Sequence, residues 1–264
     1  MSAYSLELAE FSIAAIAITA ITAYAIYWTL NESPISRWLH DSDAVVPSFL
    51  SITSFIFGLA ISTLAGNSFD RHQHAITNLI TETSAIELIV STATALPNQD
   101  QLQISSAVKN YVSAVIDKEW PAMQSNDASK RDIALPEFLA LNKIVNQIAF
   151  QPNQRGAIQE QLLSAIATIR HDRQIRRSIA FDNDHISKWP SIPVFSFLLL
   201  LSVGIVHLGS IKAMKVSLSI ASVCVIMSAV FLFISISPYR GWNPVEPLKL
   251  QNSLQRLEAI KQST

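Results

Sequence analysis

The feature that most limits what this chain can become is the stretch Ala44 to Phe69, which contains no ionisable residue. Crossing a hydrocarbon core of about 30 Å takes roughly 20 helical residues, so this run is long enough to span one. After Asp70 the composition turns polar, yet Phe69, Ile76, Leu79, Ile80, Ile86 and Val90 keep helical spacing. Neither proline nor glycine interrupts Asn67 to Ala95. The pattern predicts one helix within Ala44 to Leu96 that leaves a membrane and continues into water as the first helix of a soluble domain.

At about 100° per residue, the membrane part of that helix has two faces. Ser54, Gly58, Ser62 and Gly66 form a small-residue stripe of the kind that lets helix backbones approach closely in lipid. Roughly opposite lie Phe49, Thr53, Ile56, Ala60, Thr63 and Asn67, with bulky apolar groups early and polar ones late. Such a face suits a pore with an apolar constriction and a wet exit. Ordinary packing of a buried membrane helix, where Ser and Thr are common, accounts for the same residues.

Half of the 264 residues are hydrophobic and only 15% are charged, against a norm near 25% charged for soluble proteins. The apolar excess falls in four runs, which makes this an integral membrane protein. A net charge of −1 carries no signal for nucleic acid or for an acidic partner. The single Cys224 sits in an apolar run, which rules out a disulfide framework and a cysteine metal site. The N-terminal run lacks a basic leader, carries Glu7 and Glu10, and is too long for a signal core, so it reads as a retained span.

The expected fold is all-α: a four-span integral membrane protein with a helical cytoplasmic domain inserted between spans 2 and 3. Residues 1–69 hold spans 1 and 2, with span 1 over Phe11 to Leu30 and Tyr24, Tyr27 and Trp28 at the headgroup level. Asn31 to Asp43 reads as a loop. Residues 70–188 form the helical domain. Its second helix runs from Gln101 to Met123 and stops or kinks at Pro121. A third opens at Pro136 and runs through Ile148. A fourth follows Pro152, with Ile158, Leu162, Ala165, Ile166 and Ile169 on one face. Four such helices make a bundle. Residues 189–240 hold spans 3 and 4, over Ile192 to Ile211 and Val216 to Ile236, joined by a tight turn at Lys212 to Lys215. Pro238 ends the fourth span, with Tyr239 and Trp242 at the interface. Residues 241–264 form a short amphipathic tail whose apolar side is Leu248, Leu250, Leu254, Leu257 and Ile260.

Basic residues near the spans orient the chain. Arg71, Arg173, Arg176, Arg177, Lys188, Arg240 and Lys249 flank the domain side, against Arg37, Lys212 and Lys215 on the other. Both termini and the domain are therefore expected in the cytoplasm, in the inner membrane if the source is bacterial.

Few residues suggest chemistry. His72 and His74 are two apart on a helix and face different ways, which suits a solvated surface better than a metal site. His207 lies in a span, where an ionisable group points to function, or within reach of the interface beside Lys212. Arg170, His171, Asp172, Arg173, Arg176 and Arg177 suit anionic lipid headgroups or a nucleotide, or a solvated helix end with local pairing to Asp172. No phosphate loop, nucleophile elbow or metal motif occurs in the sequence. No enzyme activity, cofactor or metal is expected.

Glu82, the helix carrying Tyr111, then Glu119-Trp120 with Met123 close behind, and the Pro238-Tyr239-x-Gly241 ending form a set. It resembles the bestrophin-like domain of unknown function found in bacterial and plant membrane proteins. The resemblance covers most of the chain. Tyr239 stands where such proteins more often carry phenylalanine, and Ser237 where aspartate is common. Bestrophins are pentameric anion or cation channels with the second span lining the pore and termini in the cytoplasm. The resemblance thus implies a homo-oligomer, most simply a pentamer, that passes small inorganic ions along Phe49, Thr53, Ile56, Ala60, Thr63 and Asn67, within the lipid bilayer and with no nucleic-acid partner. Two rivals stand beside it: a non-conducting oligomeric scaffold or sensor whose helical domain binds a partner, and a proton-coupled transporter using Glu10 and His207.

Overall fold

The computed structural model of the chain describes residues 3–34, 36, 48–152, 156–181, 189–241 and 243–262. Most of the loop expected over 31–43 lies outside these residues, as do positions 44–47, Lys188 and Trp242. All elements are helical, with no strand among the described residues. They are α1 (Ala3–Asn31), α2 (Ser48–Ala93), α3 (Asn98–Ala114), a π-helical turn (Val115–Glu119), α4 (Trp120–Ser125), a 3-10 turn (Ala128–Lys130), α5 (Leu135–Ala149), α6 (Gly156–Phe181), α7 (Ser191–Val206), α8 (Ile211–Ile234) and α9 (Leu248–Gln262). The unbroken pattern after Asn67 is realised as a single 46-residue helix, α2, about 70 Å long at 1.5 Å per residue.

The chain forms two compact units, Met1–Phe69 with Asn183–Ile236 and Asp70–Asp182 with Ser237–Thr264. In the first, α1, the start of α2, α7 and α8 close around Ile26, Leu30, Phe57, Leu200, Val203, Met214 and Leu218. Outside this core the helices are covered in exposed apolar side chains, among them Ile13, Ile16, Ile21, Val216, Ile220, Val223 and Met227. Water does not tolerate a continuous apolar surface of that kind on a soluble monomer. By length and composition α1, α2 and α8 can each cross a bilayer, whereas α7 has only 16 residues.

The α7–α8 connection differs from expectation. Residues 207–210 make the turn, and Ser210 caps α8 by accepting the Ala213 N–H on its hydroxyl at 3.4 Å. A serine N-cap satisfies a donor that the first helical turn leaves free. The helix therefore restarts early and takes Lys212 and Lys215 into its first turns rather than into a loop. The Lys215 ammonium lies 5.0 Å from the centre of the Tyr27 ring, a cation–π contact. His207 is correspondingly in the turn, with Nδ1 2.8 Å from the Val203 carbonyl and Nε2 3.2 Å from the Ser217 hydroxyl.

At Gly204 the backbone of α7 lies tight against α1. A β-carbon there would lie 2.5 Å from Leu30 Cδ1 and 3.0 Å from Ile26 Cγ2, both in the buried core. Gly204→Val is expected to force the helices apart at about 1–3 kcal/mol. Thermal unfolding in detergent should show a melting temperature lower by on the order of 5 °C.

The second unit packs α2 from Asp70 onward, α3, α5, α6 and α9 around Leu79, Ile86, Ile89, Ile104, Val108, Leu141, Val145, Leu162 and Ile169. The expectations for Pro136 and for the apolar face of α6 hold, since Leu162, Ala165, Ile166 and Ile169 are buried and Ile158 packs against them. Pro121 acts differently from a simple stop. Proline has no N–H and its ring crowds the carbonyl four residues back. Here the preceding turn widens into a π-turn, in which the Trp120 N–H reaches Val115 O, five residues back. The helix then continues to Ser125, where Asn126 takes a left-handed φ of 54°. Of the tail, Leu250 is buried and Leu254 packs on the core, while Leu248 is exposed; the side chains of Leu257 and Ile260 lie outside the described set.

Candidate functional site

Two sets of residues stand out, one in each unit. The first is the apolar half of α2. Among residues 48–69 only Phe57 is buried, held in the core of its unit with Leu50 and Ile61 packed beside it. Taking Phe57 as the inward direction, Phe49, Thr53, Ile56, Ala60, Thr63 and Asn67 centre roughly 80° to one side. Ser54, Gly58, Ser62 and Gly66 centre roughly 120° to the other. Thr53, Ala60 and Asn67 are half-buried, whereas Phe49, Ile56 and Thr63 are exposed. On the small side Ser54, Gly58 and Ser62 are exposed and Gly66 is half-buried. A β-carbon placed on Gly58 or Gly66 would meet nothing within 4 Å. Thr53 and Thr63 turn their hydroxyls back onto the Leu50 and Leu59 carbonyls at 3.1 and 2.8 Å. Their methyl groups thus carry the outward chemistry of those positions.

The second set is a buried charged network in the helical unit. Glu82 falls on the inward stripe of α2 with Ala75, Leu79, Ile86 and Ile89, and Glu119 closes the π-turn; both are fully buried. Arg176 from α6 lies between them. Its Nη2 donates to Glu119 Oε1 at 2.7 Å, its Nε to the same oxygen at 3.3 Å, and its Nη1 to Glu82 Oε2. Tyr111 Oη donates to Glu82 Oε1 at 2.6 Å. Arg173 Nη2 stands 3.6 Å from Glu119 Oε2, and the guanidinium lies over the Phe138 ring at 5.7 Å. Two carboxylates thus face two buried guanidiniums, and Arg173 Nη2 also lies 3.9 Å from Asp132 Oδ1 at the exposed edge of the network. Burial alone disfavours the Arg176 charge, but Glu82 and Glu119 hold its pKa well above the ordinary guanidinium value. Burial, then the Glu82 charge, pushes the Tyr111 phenol well up as well.

The segment after α8 closes over this network. The Trp120 Nε1–H donates to Val245 O at 3.3 Å, and its ring meets Tyr239 edge-on with centroids 5.5 Å apart. Val245 N–H donates to Pro238 O at 2.8 Å, and Gly241 sits at φ 114°, a conformation that side chains other than glycine's rarely adopt. Pro238 and Tyr239 are buried, so Tyr239 is a core residue of the helical unit and not an interfacial aromatic. The basic run at the end of α6 also needs correction. Arg173 and Arg176 are buried on charges from α2 and the π-turn, and Asp172 does not pair with them; its Oδ2 has no hydrogen-bond partner. Arg170 alone of the four arginines is exposed. Arg177 binds Asp132 and donates to Arg131 O at 3.1 Å.

Glu10 and His207 do not meet. Phe11 stacks on Phe233 at 4.2 Å, while Asn31, at the other end of α1, donates to Met214 Sδ at 3.2 Å, beside the His207 turn. The two groups therefore stand about 30 Å apart along α1. Among the described residues no group of side chains could hold a metal ion.

Tyr239 gives a clean test of this corner. Its hydroxyl is buried without a partner, which costs roughly 1–3 kcal/mol. Tyr239→Phe is expected to raise stability by about 1 kcal/mol in urea denaturation. Burial first, with Glu82 and Glu119 adding, raises the Tyr239 phenol above its ordinary value. A group raised in the folded state contributes stability below its unfolded pKa, about 10 for tyrosine, and loses it as the pH climbs toward the folded value. Alkaline unfolding should therefore begin above about pH 10 and move to higher pH in Tyr239→Phe.

An all-helical chain with membrane-length apolar helices and a charged, closed helical unit defines a class of membrane protein, and comparison narrows it. The Bestrophin-like domain model matches residues 17–250, and the chain belongs to that family. Solved structures with a similar fold include a bacterial bestrophin homologue from Klebsiella pneumoniae in two mutant forms. One is 11% identical with a TM-score of 0.63, covering 95% of this chain and 98% of that one. The other is 11% identical with a TM-score of 0.62, covering 98% and 100%. A further membrane protein is 10% identical with a TM-score of 0.62, covering 96% and 99%. No curated relative matches the chain by sequence.

Proposed function

We propose that the chain is one subunit of a homo-oligomeric ion channel of the bestrophin type, a pentamer by analogy with bestrophins, with four spans and a pore lined by α2. The helical unit and both termini face the cytoplasm, and Phe49 or Ile56 forms the apolar constriction. One observation carries the reading. The part of α2 able to span a bilayer buries only Phe57 in its own unit, with Leu50 and Ile61 packed beside it, and leaves Phe49, Ile56 and Thr63 of its mixed side and Ser54, Gly58 and Ser62 of its small-residue side exposed. A helix of that kind needs partners, and around a symmetry axis the same side of every copy faces the same centre. The small side then packs against a neighbour, and the mixed side faces the axis. Supporting residues are Phe49, Thr53, Ile56, Ala60, Thr63 and Asn67. Membership of the Bestrophin-like family supports the same assignment.

Planar-bilayer recording of the purified, reconstituted protein tests it. Single-channel events are expected in the wild type, and Ile56→Ala should widen the constriction and change unitary conductance at least about twofold, by relief of an apolar gate. Silence in both proteins overturns the channel. The scaffold alternative is separated by thiol labelling in a Cys224→Ser background, needed because Cys224 is itself exposed. Cysteines at Thr53 and Asn67 react with a membrane-impermeant reagent in a channel and stay protected in a dry scaffold.

A further inference from the structure

The first unit contains an open cavity of about 220 Å³ between α1, α7 and α8. Its walls are apolar or small: Ala14, Ala15 and Ile18 of α1, Pro193 and Phe197 of α7, Ala229 of α8. For scale, an engineered apolar cavity of about 150 Å³ stays dry and takes up benzene. None of the lining residues is charged. Two of them, Ile18 and Phe197, are 62% and 46% exposed, so the cavity opens onto the apolar outside of the unit. It is therefore continuous with the surface that meets lipid if the helices span a bilayer.

Two further observations specify what enters. Ser196 lines the cavity, is only 7% exposed, and its hydroxyl has no hydrogen-bond partner. Several serines in these apolar helices satisfy themselves by bonding back one turn, as Ser202 does to Leu198 O at 2.8 Å and Ser228 to Cys224 O at 2.8 Å; Ser222 of α8 is likewise unpartnered but does not line the cavity. An unpaired buried hydroxyl is costly and calls for an acceptor. The second observation is the aromatic group at one end, where Phe11 meets Trp189 at 6.0 Å and Phe233 at 4.2 Å. Trp189 precedes α7, and tryptophan favours the headgroup level of a bilayer. Ser196 lies five residues into α7, about 7 Å deeper along its axis.

We propose that this cavity is a binding site for one glycerophospholipid. An acyl chain fills the cavity along Ala14, Ile18 and Phe197, an ester carbonyl accepts the Ser196 O–H, and the headgroup rests beside Trp189 and Phe11. Because no charge lines the site, the headgroup charge is not selected. The proposal rests on the reading of the chain as an integral membrane protein but not on conduction.

The test uses the full chain in vesicles of phosphatidylethanolamine and phosphatidylglycerol containing a trace of phospholipid with a diazirine in one acyl chain. After photolysis, labelled peptides are mapped by mass spectrometry. Labelling concentrated at least about fivefold on the cavity walls relative to Ile21 and Val216, equal in both lipids, is expected. Ala15→Leu should remove that enrichment, and Ser196→Ala should reduce it while leaving the background label unchanged. The wild-type map decides the matter even where Ala15→Leu does not fold. Uniform labelling overturns the site, as does enrichment that Ala15→Leu leaves intact. Protection of the cavity from label overturns it as well and identifies a second copy of the chain as the occupant. A marked excess with phosphatidylglycerol overturns the chain-led binding mode. Failure of the chain to float with vesicles would instead remove the membrane reading itself, an outcome distinct from uniform labelling.

Discussion

Arg176→Met is expected to cost about 3–5 kcal/mol, the penalty of leaving buried charges without their partner. Among the described residues Arg176 is the only guanidinium within hydrogen-bonding distance of both Glu82 and Glu119. With it removed, Arg173 still faces Glu119 at 3.6 Å, but Glu82 keeps only the Tyr111 hydroxyl. Against a total folding stability of about 5–15 kcal/mol, such a loss removes about a third or more of the margin of a typical domain and moves the urea midpoint sharply down. Arg176→Lys should recover little, because an ammonium is a point charge and cannot span two carboxylates as a planar fork does. The informative variant replaces the set: Arg176→Met with Glu82→Leu and Glu119→Leu should regain most of the lost stability, since apolar groups of similar volume often substitute for buried ion pairs without penalty. Circular dichroism through a urea titration of the full chain in detergent checks all three. Wild-type stability in Arg176→Met alone would show that the network is not what holds α2, the π-turn and α6 together.

How much of this could be read from the chain depends on what kind of pattern carried each part. Helix periodicity made the elements legible, because a buried helix face must repeat every three to four residues whatever it packs against. α2, the Pro136 helix and the α6 stripe all came through that route. The charged network did not, although its signal was there. On α6 the stripe Leu162, Ile166, Ile169 continues at the same spacing into Arg173 and Arg176, and on α2 Glu82 interrupts Leu79 and Ile86. Two acidic and two basic groups on otherwise apolar stripes point to one buried network. The basic run at 170–177 reads as surface only when its residues are taken by neighbourhood rather than by face. The α7–α8 turn was misplaced for a related reason. Lys212 and Lys215 look like a loop by composition, whereas the Ser210 cap and the Gly209 before it set the break. The faces of α2 differ again: they are visible in the sequence, but a single chain leaves them uncovered, so their roles depend on neighbours.

That dependence makes Gly58 the sharpest probe of assembly. In the single chain a side chain at Gly58 meets nothing within 4 Å, so Gly58→Leu should leave the fold and melting of an isolated subunit unaltered, apart from the gain in helix propensity of up to about 1 kcal/mol that replacing glycine brings. Where helices approach through small residues, backbones lie close, and a leucine holds them apart. Overpacking costs about 1–3 kcal/mol at each contact, which is roughly a tenfold to hundredfold loss of affinity per interface. A closed ring repeats the same contact in every copy, so the loss accumulates around it. Light scattering of the detergent-solubilised protein should therefore find wild-type oligomers and Gly58→Leu monomers at the same concentration. Ile52→Ala, on a neighbouring exposed position of α2, serves as the control that trims rather than adds volume. An oligomer of unchanged mass in Gly58→Leu would mean that the small-residue side of α2 faces lipid and that assembly runs through another surface.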